Sequence, residues 1–540
     1  MRADYARSRF PAHSKFGGSC KIPTIIYYDQ DGKVRAIGAE TTDERLRDTI
    51  EDEGWVKAEW FKLHMQPGNK YRSEILKKIP SLPAGKSAVI ILSDFYRYLY
   101  SCAQSYITES YENGSQVWAS VENTIDFVLS HPNGWEGEQQ QQMRRAAVLA
   151  GLVPDMAEGY ERIRFVTEGE ASLHFCLQSG MKTNAFKDDT GVIIVDAGGG
   201  TIDLSAYGAT SRKDKFEEVA TTQCHLQGSV HVNIRAKDYL RDYLKGSKFV
   251  DDVDTMINVF DQSAKLTFDS GPLVIKFGSS REKDLALRIR SGQLTLPGNV
   301  VAPFFEPSIS CIIKAVKSQI LDSKKPIKSL FLVGGFSASE YLFFKLKEEF
   351  EPLGLSLCRP DTHVNKAVAD GSVSFYLDRY ISARVSRHTY GVRCCMAFNP
   401  FNPDHLLRSE RMIVDVDGLY LPGHFSTILK KNVQVSETKE FRRSYCRTAT
   451  KRCMLESAQS DIKCYRGSQE VPSWWDDEDP AFTTLCTIEA DTKTLSLGLE
   501  PKLNAKQQVY FQLVFDIILS FGLTELKAQI AWMEDGVEKR

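Results

Sequence analysis

The chain has 540 residues, enough for about three or four packing units at roughly 100–200 residues each. With 42% hydrophobic and 26% charged residues it has the make-up of an ordinary globular protein, which excludes fibrous and disordered classes. Lys and Arg total 68 against 70 Asp and Glu, a net charge of −2, so no chain-wide basic footprint for nucleic acid or an anionic membrane is present.

The opening stretch, MRADYARSRFPAHSKF, lacks the apolar core of a signal peptide. No uninterrupted apolar run reaches the roughly 18 residues of a spanning helix, and YFQLVFDIILSFGL, cut by Gln512 and Asp516, reads as strand. Twelve cysteines are too dilute for a disulfide scaffold, and none stands in CxxC spacing. His225 and His231 have no partner at ligand spacing, and HExxH is absent. The expectation is a soluble, cytoplasmic protein of a reducing compartment, with no structural metal and neither nucleic acid nor membrane as partner.

In chain order, KIPTIIYYDQDGKVRAIG reads as a hairpin turning at Asp31-Gly32. SAVIILSDFYRYLYSCAQSYITESY continues with helical periodicity, and VENTIDFVLSHP is a strand ending before Pro132. WEGEQQQQMRRAAVLAGLVPD is a helix, with Gly151 as its C-terminal stop and Pro154 unable to continue it. From about residue 20 to 385 strands and helices alternate, the pattern of an α/β architecture. After about residue 386 short alternating segments take over: MIVDVDGLYLPG, NVQVSETKEF, DIKCYRGS, TLCTIEADTKTLSLGL and QVYFQLVFDIILSFG, a β-rich domain. PSWWDDEDPAF reads as a loop with an acid block, whose Trp474 and Trp475 are either exposed or core anchors.

GVIIVDAGGGTIDLSAYG, residues 191–208, is the stretch that carries chemistry. A buried strand ends at Asp196, three glycines follow, then Thr201, Asp203 and a second strand. Glycines without side chains let backbone N–H groups converge on a phosphate, and their freedom to take φ > 0 suits the turn. Thr201 adds a hydroxyl, and Asp196 at the strand mouth suits a hydrated Mg²⁺. GxxxxGK[ST] is absent, and the loop leads into a strand, not a helix, so neither common phosphate fingerprint fits. A second element, SLFLVGGFSASEYLFFKLKEEF, turns from a strand through Gly334-Gly335 into an amphipathic helix. Together they suggest a cleft with phosphates on one turn and the nucleoside on the other.

DAGGGTID, FLVGGFSAS and NKAVADGSVSF (Asn365–Phe375) resemble the actin-like ATPase fold of the 70-kDa heat-shock protein superfamily, and more closely its divergent 12-type branch. KIPTIIYYDQDG, WFKLHM, FVTEGEASLHF, SGQLTLPGNVVAPFFEPSI, RPDTHVNKAVADG and ARVSRHTYGV match in family order across residues 20–392. The resemblance implies an α/β, two-lobed actin-like (ribonuclease H-like) nucleotide-binding domain followed by a β-rich domain. Residues 1–188 would be an N-terminally incomplete lobe I, residues 189–385 lobe II with a return helix, and residues 386–540 a domain similar to a substrate-binding β domain. It also implies ATP and ADP as ligands, Mg²⁺ as cofactor, and an unfolded protein or peptide as client. Position by position, Gly198, Gly199, Gly200 and Thr201 would bind the β and γ phosphates, and Asp196 would face Mg²⁺ through water. Glu168 would order the metal and the attacking water, and Lys62 would be the catalytic lysine near the γ-phosphate. Lys265, Gly334, Gly335 and Ser337 would face the ribose and adenine.

The sequence departs from the family pattern in several places that matter. The Asp-x-Gly-Thr-Thr loop that faces the second phosphate element is absent, and with it the first, normally central, strand of lobe I. Three charge-assisted hydrogen bonds at roughly 1.5–3 kcal/mol each would go, on the order of 5–9 kcal/mol if additive. A micromolar site is worth only about 8 kcal/mol in total. The leucine-rich acidic interdomain linker, the helical lid and an acidic C-terminal tail have no counterpart either. The expectation is therefore an ATP-binding chaperone-family protein with hydrolysis weak or lost. The alternatives are a pseudo-ATPase scaffold without a working nucleotide site and, third, a sugar or acid kinase of the same fold. GGFSAS lacks the closing glycine of a GxSxG elbow, which disfavours a serine hydrolase.

Overall fold

A computed structural model describes residues 10, 22–65, 79–179, 190–210, 215–360, 366–475, 479–522 and 525–540. The chain is a mixed α/β protein with several sheets, divided into two compact units at Ile381/Ser382.

The first unit opens with the expected hairpin. Strands β1 (Ile25–Tyr28) and β2 (Val34–Ile37) pair antiparallel, with Gly32 at φ +75°. Strand β3 (Val56–Glu59) covers the other edge of β1, giving the order β2-β1-β3. Helix α1 (Ala88–Ser110) is capped by Ser87 and packs Ile91 and Phe95 on Ile26, Tyr28 and Phe61. Strands β4 (Phe127–His131) and β5 (Ile163–Thr167) form a parallel pair joined through helix α2 (Gly137–Leu149). That helix stops where expected: Gly151 takes φ +79°, and the Leu152 N–H donates back to the Ala147 carbonyl at 3.0 Å. Among the described residues no strand joins β2-β1-β3 to β4-β5. Helix α3 (Glu168–Gln178) follows β5 without a loop.

The main sheet is built on β6 (Gly191–Ala197) and β7 (Ile202–Ala209), an antiparallel hairpin extended by β8 (Phe216–Glu218) and β9 (Gln223–His225). A small antiparallel sheet of β10 (Leu273–Lys276), β11 (Ile289–Arg290) and β12 (Gln293–Leu296) intervenes. Strand β13 (Ile327–Val333) then adds parallel to β6, and β14 (Ser356–Cys358) parallel to β13. Every residue of β6 is buried. Its side chains serve two cores. Ile193 and Val195 join the core that includes helices α4 (Ser229–Tyr243), α5 (Gly298–Asp322) and α6 (Glu340–Phe350), while Val192 and Ile194 join Leu173, Phe175 and Ala367. Two covered faces explain why VIIV reads as a continuous apolar run. Helix α7 (Ala367–Asp378) crosses α3 closely: a Cβ on Gly371 would lie 1.8 Å from the Ala171 carbonyl oxygen. Asn365, at the start of that sequence block, lies outside the described residues.

Helix α5 is long and apolar enough to cross a membrane by length and composition, against the expectation that no such segment exists. It carries Pro303 and Pro307, and its Val301, Phe305, Ile309, Ile312 and Val316 are buried in the main core.

Strand β15 (Ile381–Val385) begins on the last residue of the first unit, and the second unit continues with β16 (Thr389–Ala397), β17 (Ile413–Asp415), β18 (Gly418–Leu429), β19 (Gln434–Ser436), β20 (Glu440–Ala449), β21 (Ser457–Tyr465), β22 (Phe482–Asp491), β23 (Lys502–Leu503), β24 (Val509–Gly522), β25 (Glu525–Glu534) and β26 (Val537–Lys539). One sheet runs β17-β18-β16-β21-β22 and another β20-β24-β25-β26. Val392, Ile462 and Cys464 of the first share a core with Leu513, Phe515, Ile517 and Leu519 of the second. The stretch TKTLSLGL, expected as strand, is instead the short helix Lys493–Gly498, begun by the Asp491 carboxylate accepting from the Lys493 N–H at 3.0 Å. Trp474 and Trp475 are half-buried: Trp474 packs against His405 and His424, and Trp475 against Phe482. The acid at 476–478 lies outside the described residues.

Candidate functional site

The β6–β7 hairpin reverses through Gly198, Gly199 and Gly200, with Asp196 opposite Asp203 and Ala197 opposite Ile202. The Gly198 N–H donates to the Thr201 carbonyl at 2.9 Å and closes the turn. The turn's own carbonyls point at helix α4. They accept from Ser229 N (to Gly198, 3.1 Å), Val230 N (to Gly199, 2.9 Å) and Gly228 N (to Gly200, 3.3 Å), satisfying donors that a helix start leaves over. None of the three turn glycines takes a positive φ, contrary to the sequence argument. Glycine is needed for approach: a Cβ on Gly228 would lie 2.5 Å from the Gly199 oxygen, and one on Gly200 2.9 Å from Leu63 Cδ2. The other side of the turn is open. A Cβ on Gly199 would meet nothing within 4 Å, and among the described residues the amides of Gly199 and Gly200 carry no hydrogen bond.

Three carboxylates surround this turn. Asp196, at the end of β6 and 4% exposed, accepts from the Ser172 hydroxyl of α3 at 2.8 Å. Glu168 is the first residue of α3, whose N-cap is the Thr167 hydroxyl. Asp203, 1% exposed on β7, accepts from the Asn133 backbone N–H at 2.6 Å, and its second oxygen, Oδ2, has no partner among the described residues. Burial raises the Asp203 carboxyl to about 7, helped by the charges of Glu168 and Asp196 and opposed by the Thr201 hydroxyl and the Asn133 amide.

Lys62 stands on the one-turn helix Phe61–Met65, whose Phe61, Leu63 and Met65 are buried. Its Nζ lies 2.5 Å from Glu168 Oε1 and 5.4 Å from the Trp135 ring centre. Burial presses this ammonium towards neutrality. Glu168, with Asp203 and Cys224 behind it, outweighs that and holds its pKa above the usual lysine value.

The second glycine turn meets the first. Val333 pairs with Asp196 across β13 and β6, so Gly334 follows beside Asp196 and Ala197. Gly334 takes φ +86°, and a Cβ there would lie 2.3 Å from Asp196 Oδ1. Gly335 begins a single helical turn in which the fully buried Ser337 donates its hydroxyl to the Gly334 carbonyl at 2.6 Å. Ser337 thus braces the turn and does not present its hydroxyl outward. Lys265 follows a π-helical turn, Phe260–Ala264, and is 3% exposed. Its Nζ donates to Asn233 Oδ1 of α4 at 3.1 Å and to Asp261, and burial, opposed by Asp261, lowers its pKa.

The structure therefore gathers Lys62, Glu168, Asp196, Thr201, the three turn glycines and Gly334 around one place. It ties Lys265 to α4 and Ser337 to its own turn. Sequence reading left Asp203 and Asn133 without a role. Asp203 was legible from its spacing, since residues seven apart across a tight hairpin fall opposite one another; Asn133 had no motif.

All-oxygen carboxylate donors with one buried oxygen unspent suit a hard cation such as Mg²⁺, and an open glycine turn with free amides suits phosphate. The residues present fit Mg²⁺ and a nucleotide triphosphate.

A mixed α/β protein with an acidic, glycine-lined site is the class so defined. No protein-family model matches the chain. Human heat shock 70 kDa protein 12B is 23% identical over 508 aligned positions, spanning 79% of this chain and 72% of that protein. Human heat shock 70 kDa protein 12A is 24% identical over 509 positions (77% and 73%), and its mouse counterpart 24% over 508 (77% and 73%). These similarities support the 70-kDa heat-shock-protein-like superfamily, in its divergent 12-type branch, as the family this chain is related to.

Proposed function

We propose that the first unit is an actin-like nucleotide-binding domain that holds Mg²⁺-ATP at the β6–β7 turn, with hydrolysis weak or lost. Residues up to about 188 make its first lobe and residues 189–385 its second, and the β-rich unit serves as a client-binding domain for unfolded peptide. The observation that carries this reading is the unspent Asp203 Oδ2, buried beside Asp196 and Glu168 at an open glycine turn.

The Gly199 and Gly200 amides and the Thr201 hydroxyl would take the β and γ phosphates. Asp196, Asp203 and Glu168 would hold the hydrated cation, which when bound supplies charge neutralisation for the phosphates. Gly334 and Gly335 would form the floor on the nucleoside side, with Ser337 fixing their turn and Lys265 steadying α4 from behind. Glu168 and Lys62 neutralise each other at 2.5 Å, so Lys62 reaches a γ-phosphate only if Glu168 turns to the cation. That pairing favours binding over turnover.

Calorimetry with Mg²⁺-ATP on the full chain tests this, with Gly199→Arg as the blocked control. Open space at Gly199 lets the arginine be built without disturbing the turn. The expected result is micromolar binding, lost in the variant at unchanged melting temperature. A folded wild-type chain that binds nothing would replace this reading with the pseudo-ATPase scaffold.

A further inference from the structure

Asn133 lies just beyond β4, in a segment with no resemblance-based role, and it is 5% exposed. Its side chain joins three elements. Nδ2 donates to the Leu204 carbonyl at 3.1 Å and the Ser205 hydroxyl at 3.0 Å on β7, with the Gln223 carbonyl of β9 at 3.4 Å. Oδ1 accepts from the Gly169 N–H, in the first turn of α3, at 3.3 Å. The amide orientation is fixed by chemistry, because a carbonyl can only accept and a backbone N–H can only donate. The Asn133 backbone N–H meanwhile donates to Asp203 Oδ1.

Glu168 precedes Gly169, and Asp203 precedes Leu204. One buried amide therefore sets the spacing between the α3 start that carries Glu168 and the strand that carries Asp203. Space is tight enough for that spacing to be rigid: a Cβ on Gly169 would lie 2.3 Å from Ser205 Oγ and 3.1 Å from the Asn133 amide. The glycine turn is held separately, by the start of α4.

We infer that Asn133 is the positioning residue for the cation side of the site: it holds the Glu168 and Asp203 carboxylates at a fixed separation and leaves the phosphate side untouched. This rests on the nucleotide reading above. Removing a partner that orients ligating carboxylates costs about 10–100-fold in metal affinity elsewhere, and here the cost falls on the Mg²⁺-dependent part of ATP binding.

The test measures ATP affinity of the full chain in Mg²⁺ and in EDTA, for wild type and Asn133→Ala. Wild type should bind more tightly with Mg²⁺. Asn133→Ala should keep its EDTA affinity within about twofold and lose the Mg²⁺ enhancement by about tenfold or more. Ser205→Ala, which removes one of the amide's acceptors with little change of volume, should lose about two- to threefold of the enhancement and covers the case in which Asn133→Ala does not fold. Equal losses with and without Mg²⁺, or an intact enhancement in both variants, would overturn the positioning role while leaving the nucleotide reading in place. A wild-type chain that binds no ATP in either condition would overturn the nucleotide reading, and this inference with it.

Discussion

The two glycine turns look alike in sequence and differ in what glycine does for them. At Gly198–Gly200 the backbone stays in ordinary φ: the missing side chain of Gly200 makes room for Leu63, that of Gly228 lets the start of α4 reach the turn, and the space at Gly199 is open. At Gly334 the backbone is left-handed, and the missing side chain makes room for Asp196 itself. The first turn is thus suited to receiving a ligand, and the second to holding a carboxylate in place. A glycine run announces that something approaches the backbone; only the structure says whether that is solvent, a helix or a functional side chain.

The comparison predicts unequal costs for equal substitutions. Gly334→Ala combines strained φ with a Cβ at 2.3 Å from Asp196 Oδ1 and should cost about 3 kcal/mol or more in urea unfolding. Asp203→Asn tests the charge held between the turns. With a folded carboxyl near 7 and an unfolded one near 3.9, the wild type gains stability below pH 4 and loses it as pH rises through about 7. The variant lacks this loss. Without added cation it should be the more stable protein at pH 8, by on the order of a few kcal/mol, with the gap closing towards pH 4. Thermal melting against pH reads this directly.

Gly228→Ala should lift α4 off the first turn at about 1–3 kcal/mol, the range for overpacking. Lys62→Met should change stability by about 1 kcal/mol: the lysine side chain is 46% exposed, which screens its ion pair, but Glu168, only 15% exposed, is left without that cation. Gly199→Ala should fall within about 0.5 kcal/mol. If Gly199→Ala proved as costly as Gly334→Ala, the open face of the first turn would be wrong.

Much of this was legible in the sequence where one residue dictates one geometry. Asp31-Gly32 gave a hairpin and Gly151 a helix stop, each now seen with positive φ at the glycine. The strand–glycine–strand and strand–glycine–helix patterns also stand as read. Strand β16 was missed because only its first four residues are buried, and β20 because its arginines fill exposed positions that ordinarily mark loops. Asn133 was illegible for a different reason: its partners lie between 36 and 90 positions away, and no spacing rule reaches that far.

Hydrogen exchange at the 196–203 hairpin, with and without Mg²⁺-ATP, tests the central claim most directly. The amides of Gly199 and Gly200 carry no internal hydrogen bond. They should exchange rapidly in the free chain and slow markedly on addition of Mg²⁺-ATP, while the Gly198 amide, already bonded to Thr201, changes little. Unchanged exchange at Gly199 and Gly200 under saturating Mg²⁺-ATP would contradict the assignment of this turn to phosphate.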